Sequence, residues 1–179
     1  MSTTTKLITL SDIQVHRSIS QNVNLVKQLN PSILEAQEFY LRPFLGDEFY
    51  LALVADSLNS FVVYGDLWNG STYTCGGKQY INDGLKIMLV YYAYGTYLNN
   101  AQDIITPNGI VTKNNNDSTP TEASSVSRLY GQSISAAKFY EVRVAEYLSR
   151  EKENYPLYDC VNISKQTGNV RITPIRKRK

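Results

Sequence analysis

Histidine and cysteine are nearly missing from this chain. In 179 residues there is one histidine, His16, and two cysteines, Cys75 and Cys160. A zinc site with four Cys or His ligands cannot be built from so few without carboxylates. The cysteines stand 85 positions apart in no paired motif, as in a protein kept in a reducing compartment or indifferent to redox state. Charged residues are also sparse, at 19%. Long apolar runs are missing too. The most apolar stretch, residues 85–98, is interrupted by Lys86 and Gly95 and is shorter than the ~20 residues a spanning helix needs. The polar N-terminal residues leading into Leu7-Ile8-Thr9-Leu10 lack an apolar core of signal-peptide length.

What is abundant is apolar and aromatic. Hydrophobic residues make up 42% of the chain, too many for a disordered protein. A domain of this length buries roughly 70% of its unfolded surface and needs no disulfide or metal staple. Tyrosine is in surplus, with 14 copies against five Phe and one Trp. It combines buried area with a polar tip, which suits interiors that meet wet interfaces.

The patterning predicts a mainly α fold, a bundle of about four main helices. An extended run is followed by a short helix capped at Ser11-Asp12 and reaching Arg17. A second short helix is expected near Asn24 to Leu29. Asn30 as cap with Pro31 at the first helical position then opens a long helix with an apolar face of Ile33, Leu34, Ala36, Phe39, Tyr40 and Leu41. Pro43 and Gly46 end or bend it. Asp47 is expected to cap a helix running to about Leu58. The acidic pairs Glu35/Glu38 and Asp47/Glu48 could do acid–base work, but their positions in early helical turns read as dipole compensation.

A small β-hairpin insertion is expected within about 60–81, with strands near Ser71–Thr74 and Lys78–Tyr80 around Cys75-Gly76-Gly77. Gly70 to Lys78 fails the phosphate-loop pattern, because Thr72 and Gln79 stand where Gly and Ser/Thr are required. Cys75 has no basic neighbour immediately before it to activate a thiolate, so it reads as a turn residue. The third long helix, from about Asn82 to Ala101, is apolar all round and must be buried on most sides. Its four tyrosines read as core rather than as a base-stacking platform.

The segment Thr106-Pro107-Asn108-Gly109-Ile110-Val111 has a Pro-Asn-Gly turn between apolar pairs and reads as a short hairpin or ordered finger. It passes into the polar run 113–118. A fourth helix is expected from Thr119 to about Asn154, with the stripe Val126, Tyr130, Ile134, Ala137, Tyr140, Val144 and Leu148. At some 45 Å it exceeds what a compact core covers, so one end or its second face should meet something else.

The division expected is a helical domain, 1–156, and a basic tail, 157–179. In the tail, Val161, Ile163, Val170 and Ile172 alternate with polar residues around Thr167-Gly168-Asn169, as in a C-terminal β-hairpin. Two strands alone are barely stable in water, so this hairpin either docks on its own body or adds to a partner. The net charge of +2 hides an asymmetry. Residues 1–160 carry 12 basic and 16 acidic side chains, a net of −4, while residues 161–179 carry six basic and none acidic, a net of +6. The cluster Arg176-Lys177-Arg178-Lys179 can meet nucleic acid, an acidic protein surface or an anionic membrane.

Several segments recur in a characteristic order: the extended N-terminal run, Glu35-Ala36-Gln37, Leu45-Gly46, the Gly-rich hairpin from Gly70 to Tyr80, the tyrosine-rich helix Lys86 to Tyr97, the Thr106–Val111 loop and the long helix Thr119 to Asn154. Over residues 7–155 this order resembles the head–tail connector (adaptor, or ring) proteins of tailed bacteriophages, of the type found in phages of Bacteroides, including the crAss-like group. The resemblance implies a structural virion protein of the neck, made in the host cytoplasm, that forms a ring of twelve copies below the portal. It implies a portal protein and a further tail or ring protein as partners. DNA would pass through the channel without sequence-specific binding. No enzyme activity, catalytic residue, cofactor, metal or membrane contact is implied. An acidic body would suit a channel wall, since negative walls repel phosphates. Ring and stack contacts are expected at Thr106, Pro107, Asn108, Gly109, Ile110 and Val111. Partner contacts are expected at Ile163, Val170, Arg171, Ile172, Ile175, Arg176, Lys177, Arg178 and Lys179. The alternative is a small nucleic-acid-binding module whose basic tail grips phosphates.

Overall fold

The computed structural model describes residues 5–21, 23–100, 103–106, 109–112 and 123–158. In chain order the elements are α1 (Leu10–His16), a π-helical turn (Leu25–Leu29), α2 (Asn30–Ala36), a second π turn (Gln37–Leu41), α3 (Arg42–Leu45), α4 (Asp47–Ser57), α5 (Gly65–Asn69), β1 (Ser71–Cys75), β2 (Lys78–Asn82), α6 (Leu85–Asn100), β3 (Asp103–Thr106), β4 (Gly109–Thr112) and α7 (Ala123–Arg150). The fold is mainly helical, as the patterning predicts.

The core forms around α6. Leu85, Met88, Leu89, Val90, Tyr92, Ala93 and Gly95 are all buried, so nearly every side of the helix is covered. Helix α7 lies along it at close range. A Cβ on Gly95 would stand 3.0 Å from Ile134 Cδ1, so the bare glycine leaves room for that side chain. The polar groups at this contact are matched. Ser133 Oγ donates to the Tyr91 carbonyl at 2.7 Å, and the Tyr92 hydroxyl donates to the Glu141 carboxylate. Tyr40 stacks on the Tyr92 ring with centroids 4.1 Å apart. Of the four tyrosines of this helix Tyr92 is core, and Tyr91, Tyr94 and Tyr97 pack half-buried against the core.

Residues 25–45 run as one continuous rod, which corrects the expected break at Asn30. Asn24, not Asn30, supplies the cap, its Oδ1 accepting from Lys27 N at 2.9 Å. Asn30 is itself helical (φ −61°, ψ −45°). Pro31 and Pro43 are accommodated inside the rod by the π turns. A proline ring strikes the carbonyl four residues back, here Lys27 and Phe39, and each lies at the centre of a π turn. The wider i→i+5 turn removes that carbonyl from the clash. The rod ends at Gly46, whose φ of 84° reverses the chain.

Three further expectations about helix ends are corrected. Helix α1 is capped by Thr9, not by Ser11-Asp12. Thr9 N donates to Asp12 Oδ2 at 2.8 Å while Thr9 Oγ1 accepts from Asp12 N, a reciprocal box. Gly46 holds the N-cap position of α4, and Asp47 falls in its first turn. Helix α6 begins at Leu85, because Asn82 closes β2.

The β1–β2 hairpin is antiparallel, with Ser71 opposite Asn82 and Cys75 opposite Lys78. Its turn residues Gly76 and Gly77 take φ of 57° and 75°, the pair of positive values a two-residue turn requires. The hairpin starts later than the expected 60–81 insertion, after the bends of 61–64 and α5. Its base closes on two glycines, Gly70 and Gly84. A Cβ on Gly84 would lie 2.6 Å from both Gly70 N and Trp68 O.

The extended N-terminal run is pinned by buried Gln37, whose Oε1 accepts from Leu7 N at 2.9 Å and whose Nε2 donates to the Thr5 carbonyl at 3.0 Å. At the other end α7 stops at Arg150, four residues before the expected Asn154, and a chain of turns carries Tyr155 and Tyr158 back into the core. The expected C-terminal hairpin lies outside the described residues. Among those residues, no helix is long and apolar enough to cross a membrane.

Gly84→Ala is expected to destabilise the fold by about 2 kcal/mol or more, from the left-handed backbone and the backbone clash together. Gly65, with open space around its Cα, should accept alanine within about 0.5 kcal/mol. Urea unfolding of the two variants tests the contrast.

Asp12 gives a pH prediction. Burial pushes its carboxyl up, but the bonds from Lys86 (2.9 Å) and Thr9 outweigh this and hold it below its ordinary value. A depressed carboxylate contributes stability above its unfolded pKa of about 4 and loses it as pH falls through the folded value. The pair is partly exposed, so its share is at most about 1 kcal/mol. In Asp12→Asn, the gap in unfolding free energy between pH 7 and pH 3 should narrow by that share.

Candidate interaction surface

Of the residues expected to make contacts, four fall among the described residues. Thr106, Gly109, Ile110 and Val111 lie on the β3–β4 hairpin, where Thr106 pairs with Gly109 and Ile105 with Ile110. Pro107 and Asn108, at its turn, lie outside the described residues. So do Ile163, Val170, Arg171, Ile172, Ile175, Arg176, Lys177, Arg178 and Lys179. Of the acidic pairs, Glu35, Glu38 and Asp47 make contacts within the fold. Glu35 accepts from Asn100 Nδ2 at 2.9 Å. Arg42 bridges Glu38 (2.8 Å) and Asp47 (2.7 Å) across the Gly46 reversal, which holds the Asp47 carboxyl below its usual range. Cys75 is exposed at the hairpin tip. Among the described residues, no group of His, Cys, Asp and Glu could hold a metal ion.

Two features escaped sequence reasoning. The first is the bend of 58–64, which holds three apolar side chains out in solvent: Leu58, Val62 and Val63 are 73%, 80% and 71% exposed. The bend is rigidly built. Ser60 and Phe61 adopt φ of 60° and 57°, uncommon for residues with side chains. Such backbone persists only when its surroundings over-determine it. Here the buried Asp56 carboxylate accepts from Val63 N (3.1 Å) and Tyr64 N (2.8 Å), the Asp56 carbonyl accepts from Phe61 N (3.0 Å), and Phe61 stacks on Trp68 at 4.4 Å. Read along the chain, Phe61-Val62-Val63-Tyr64 suggests alternation. The only local hint of a bend is Asp56 followed by Asn59-Ser60.

The second is a groove of about 370 Å³ beside that bend. Val63, Tyr64 and Asp66 form one wall, Ser71, Thr72 and Tyr73 of β1 another, and Tyr147, Glu151, Asn154 and Tyr155 the third. The Tyr147 and Tyr155 hydroxyls share a hydrogen bond at 2.9 Å. Burial, that bond and the negative charge of Asp66 and Glu151 together push the Tyr155 hydroxyl well above its ordinary value. The groove is therefore tyrosine-walled and negative. Next to it, Arg150 stacks 4.2 Å over the Tyr80 ring and donates to the Tyr73 hydroxyl at 2.8 Å, so tyrosines of this hairpin already hold a guanidinium. The groove unites segments some eighty residues apart, which no local pattern can announce.

A family model described as a family of unknown function (DUF6712) matches residues 41–168, well over half of the chain. No curated protein and no solved structure matches it.

Asp56→Ala should free the 58–64 bend and cost about 2–3 kcal/mol, the scale for lost hydrogen bonds to a charged group. Asp56→Asn, which keeps one acceptor oxygen, should lose less. Amide hydrogen exchange at Val63 and Tyr64, faster in the alanine variant, localises the effect.

Proposed function

The chain belongs to the DUF6712 family, and we propose that it is a structural virion protein that assembles as a ring below the portal, joins capsid to tail and extends the DNA channel. The observation that carries this reading is the overreach of α7. Its buried side chains lie only between Ser133 and Leu148. From Ser124 to Gln132 none is buried, although Val126, Leu129 and Tyr130 continue the apolar stripe. An apolar stripe left half-covered on a long helix is the mark of a surface meant for a neighbour.

The resemblance supplies the rest of the proposal: twelve copies, a portal on one side, a further tail or ring protein on the other, and DNA passing through without sequence-specific contact. The exposed apolar bend of 58–64 supports assembly over catalysis. Its Leu58, Val62 and Val63 side chains form exposed apolar surface that a neighbour can bury, and a ring requires two different complementary patches per subunit. In this reading the basic tail meets acidic surface on a partner.

The charge of the tail favours a second reading, a nucleic-acid-binding module. One experiment separates the two. Deleting residues 161–179 should leave a subunit of unchanged helicity and unfolding midpoint that no longer attaches to its partner, with closed rings in particle images of the intact protein or of the virion neck. Loss of folding would put the tail in the subunit's own core. Affinity for DNA that falls steeply with salt and with each tail charge removed would favour the nucleic-acid module instead.

A further inference from the structure

Three observations meet at the groove beside β1. The first is an open strand edge. β1 pairs with β2 on one side and, among the described residues, has no strand on the other. Ser71, Thr72 and Tyr73, three successive residues, all line the groove. Successive side chains of a strand point to opposite faces, so a cavity touched by three in a row faces the strand's edge. The second is charge. Asp66 and Glu151 make the groove negative, and tyrosine rings flank them. The third is the composition of the chain's own end, where Val170 and Ile172 alternate with Arg171 and the cluster Arg176–Lys179 follows.

We propose that this groove receives the C-terminal basic segment, residues 170–179, of a second copy of the chain, added as a third strand along the free edge of β1. Main-chain hydrogen bonds to β1 would give affinity, as in other strand additions. The arginines and lysines would find the two carboxylates and the tyrosine faces. Length allows a second copy. The described chain ends at Tyr158, a buried residue only three positions past Tyr155 of the groove wall. Used as an arm, residues 159–170 would be extended instead of folding as the hairpin expected from the sequence, with a reach of about 40 Å, and a body of this size is about 40 Å across. An arm of that length is enough to span one subunit and reach the same groove on the next. Charge agrees, since a tail of +6 would lie against a body of −4. A tail-to-groove contact joins two different surfaces, and such heterologous contacts repeat from copy to copy until they close. This rests on the self-assembly reading above and names its contact.

The test uses the full-length chain. Isotopically heavy and light copies are mixed and coupled with a carbodiimide, which joins lysine amines directly to carboxylates. Lys177 or Lys179 should couple to Asp66 or Glu151 in heavy–light pairs. Glu151→Arg should weaken self-association, read by native mass spectrometry, at least tenfold, and Arg176→Glu with Arg178→Glu should restore it. Should Glu151→Arg fail to fold, Thr173→Pro serves. Pro174 has no N–H to give, so its side of the added strand must face away from β1, and the N–H groups of Arg171, Thr173 and Ile175 face it. Thr173→Pro therefore removes one N–H that bonds to β1, and it should weaken association to the same degree. Couplings confined to single copies, or association unchanged in Thr173→Pro, would overturn the proposal. The two readings fail separately. Rings that persist with Thr173→Pro leave the ring standing without this contact. A closed dimer joined through the groove leaves the contact standing without the ring.

Discussion

Burial of α6 is the constraint from which the rest follows. A sixteen-residue helix with apolar side chains on every face cannot lie at a surface, so other elements must surround it. Helix α7 covers one side, with Ile134 seated against Gly95. The rod of 25–45 covers another and brings Tyr40 onto Tyr92. Helix α1 is tied on through the Asp12–Lys86 pair. The polar atoms carried inward are matched: Tyr92 finds Glu141, and Ser133 finds the Tyr91 carbonyl. That matching is the condition under which tyrosine can serve as core.

Tyrosine also shapes the wet side of the molecule. Tyr155 and Tyr147 bury their rings against Phe49 and Tyr73 while their hydroxyls bond to each other, and both line the groove. The same residues thus close the core and line a cavity. The two prolines of the rod show a comparable economy. Each would break an ordinary α-helix, and each is absorbed by a π turn placed where the offending carbonyl lies, so the helix continues and α6 stays covered.

In the assembly proposed above, the charge split would tie the groove to its neighbour. A body of −4 and a tail of +6 within one chain attract each other, and that attraction would recur at every joint of a ring. The apolar projection at 58–64 and the half-covered end of α7 add surface that a neighbour can bury. None of these features needs a histidine, a thiol or a metal, in keeping with the composition.

The mainly helical class, the buried helix α6, the hairpin around Gly76-Gly77 and the presence of a long last helix were all legible along the chain. Each rests on local periodicity or on turn chemistry carried by adjacent residues. Several helix starts were not. Asn24 and Asn30 are equivalent candidates by residue type, as are Thr9 and Ser11. Which one caps depends on where packing against α6 lets the helix begin. The bend at 58–64 and the groove were illegible for a stronger reason. Asp56 must meet the amides of Val63 and Tyr64, and Asp66 must meet Glu151 across more than eighty residues. The sequence by itself determined which segments are helical and which must be buried. Only the tertiary structure decided which surfaces remain open, because an open surface is what packing between distant segments leaves uncovered.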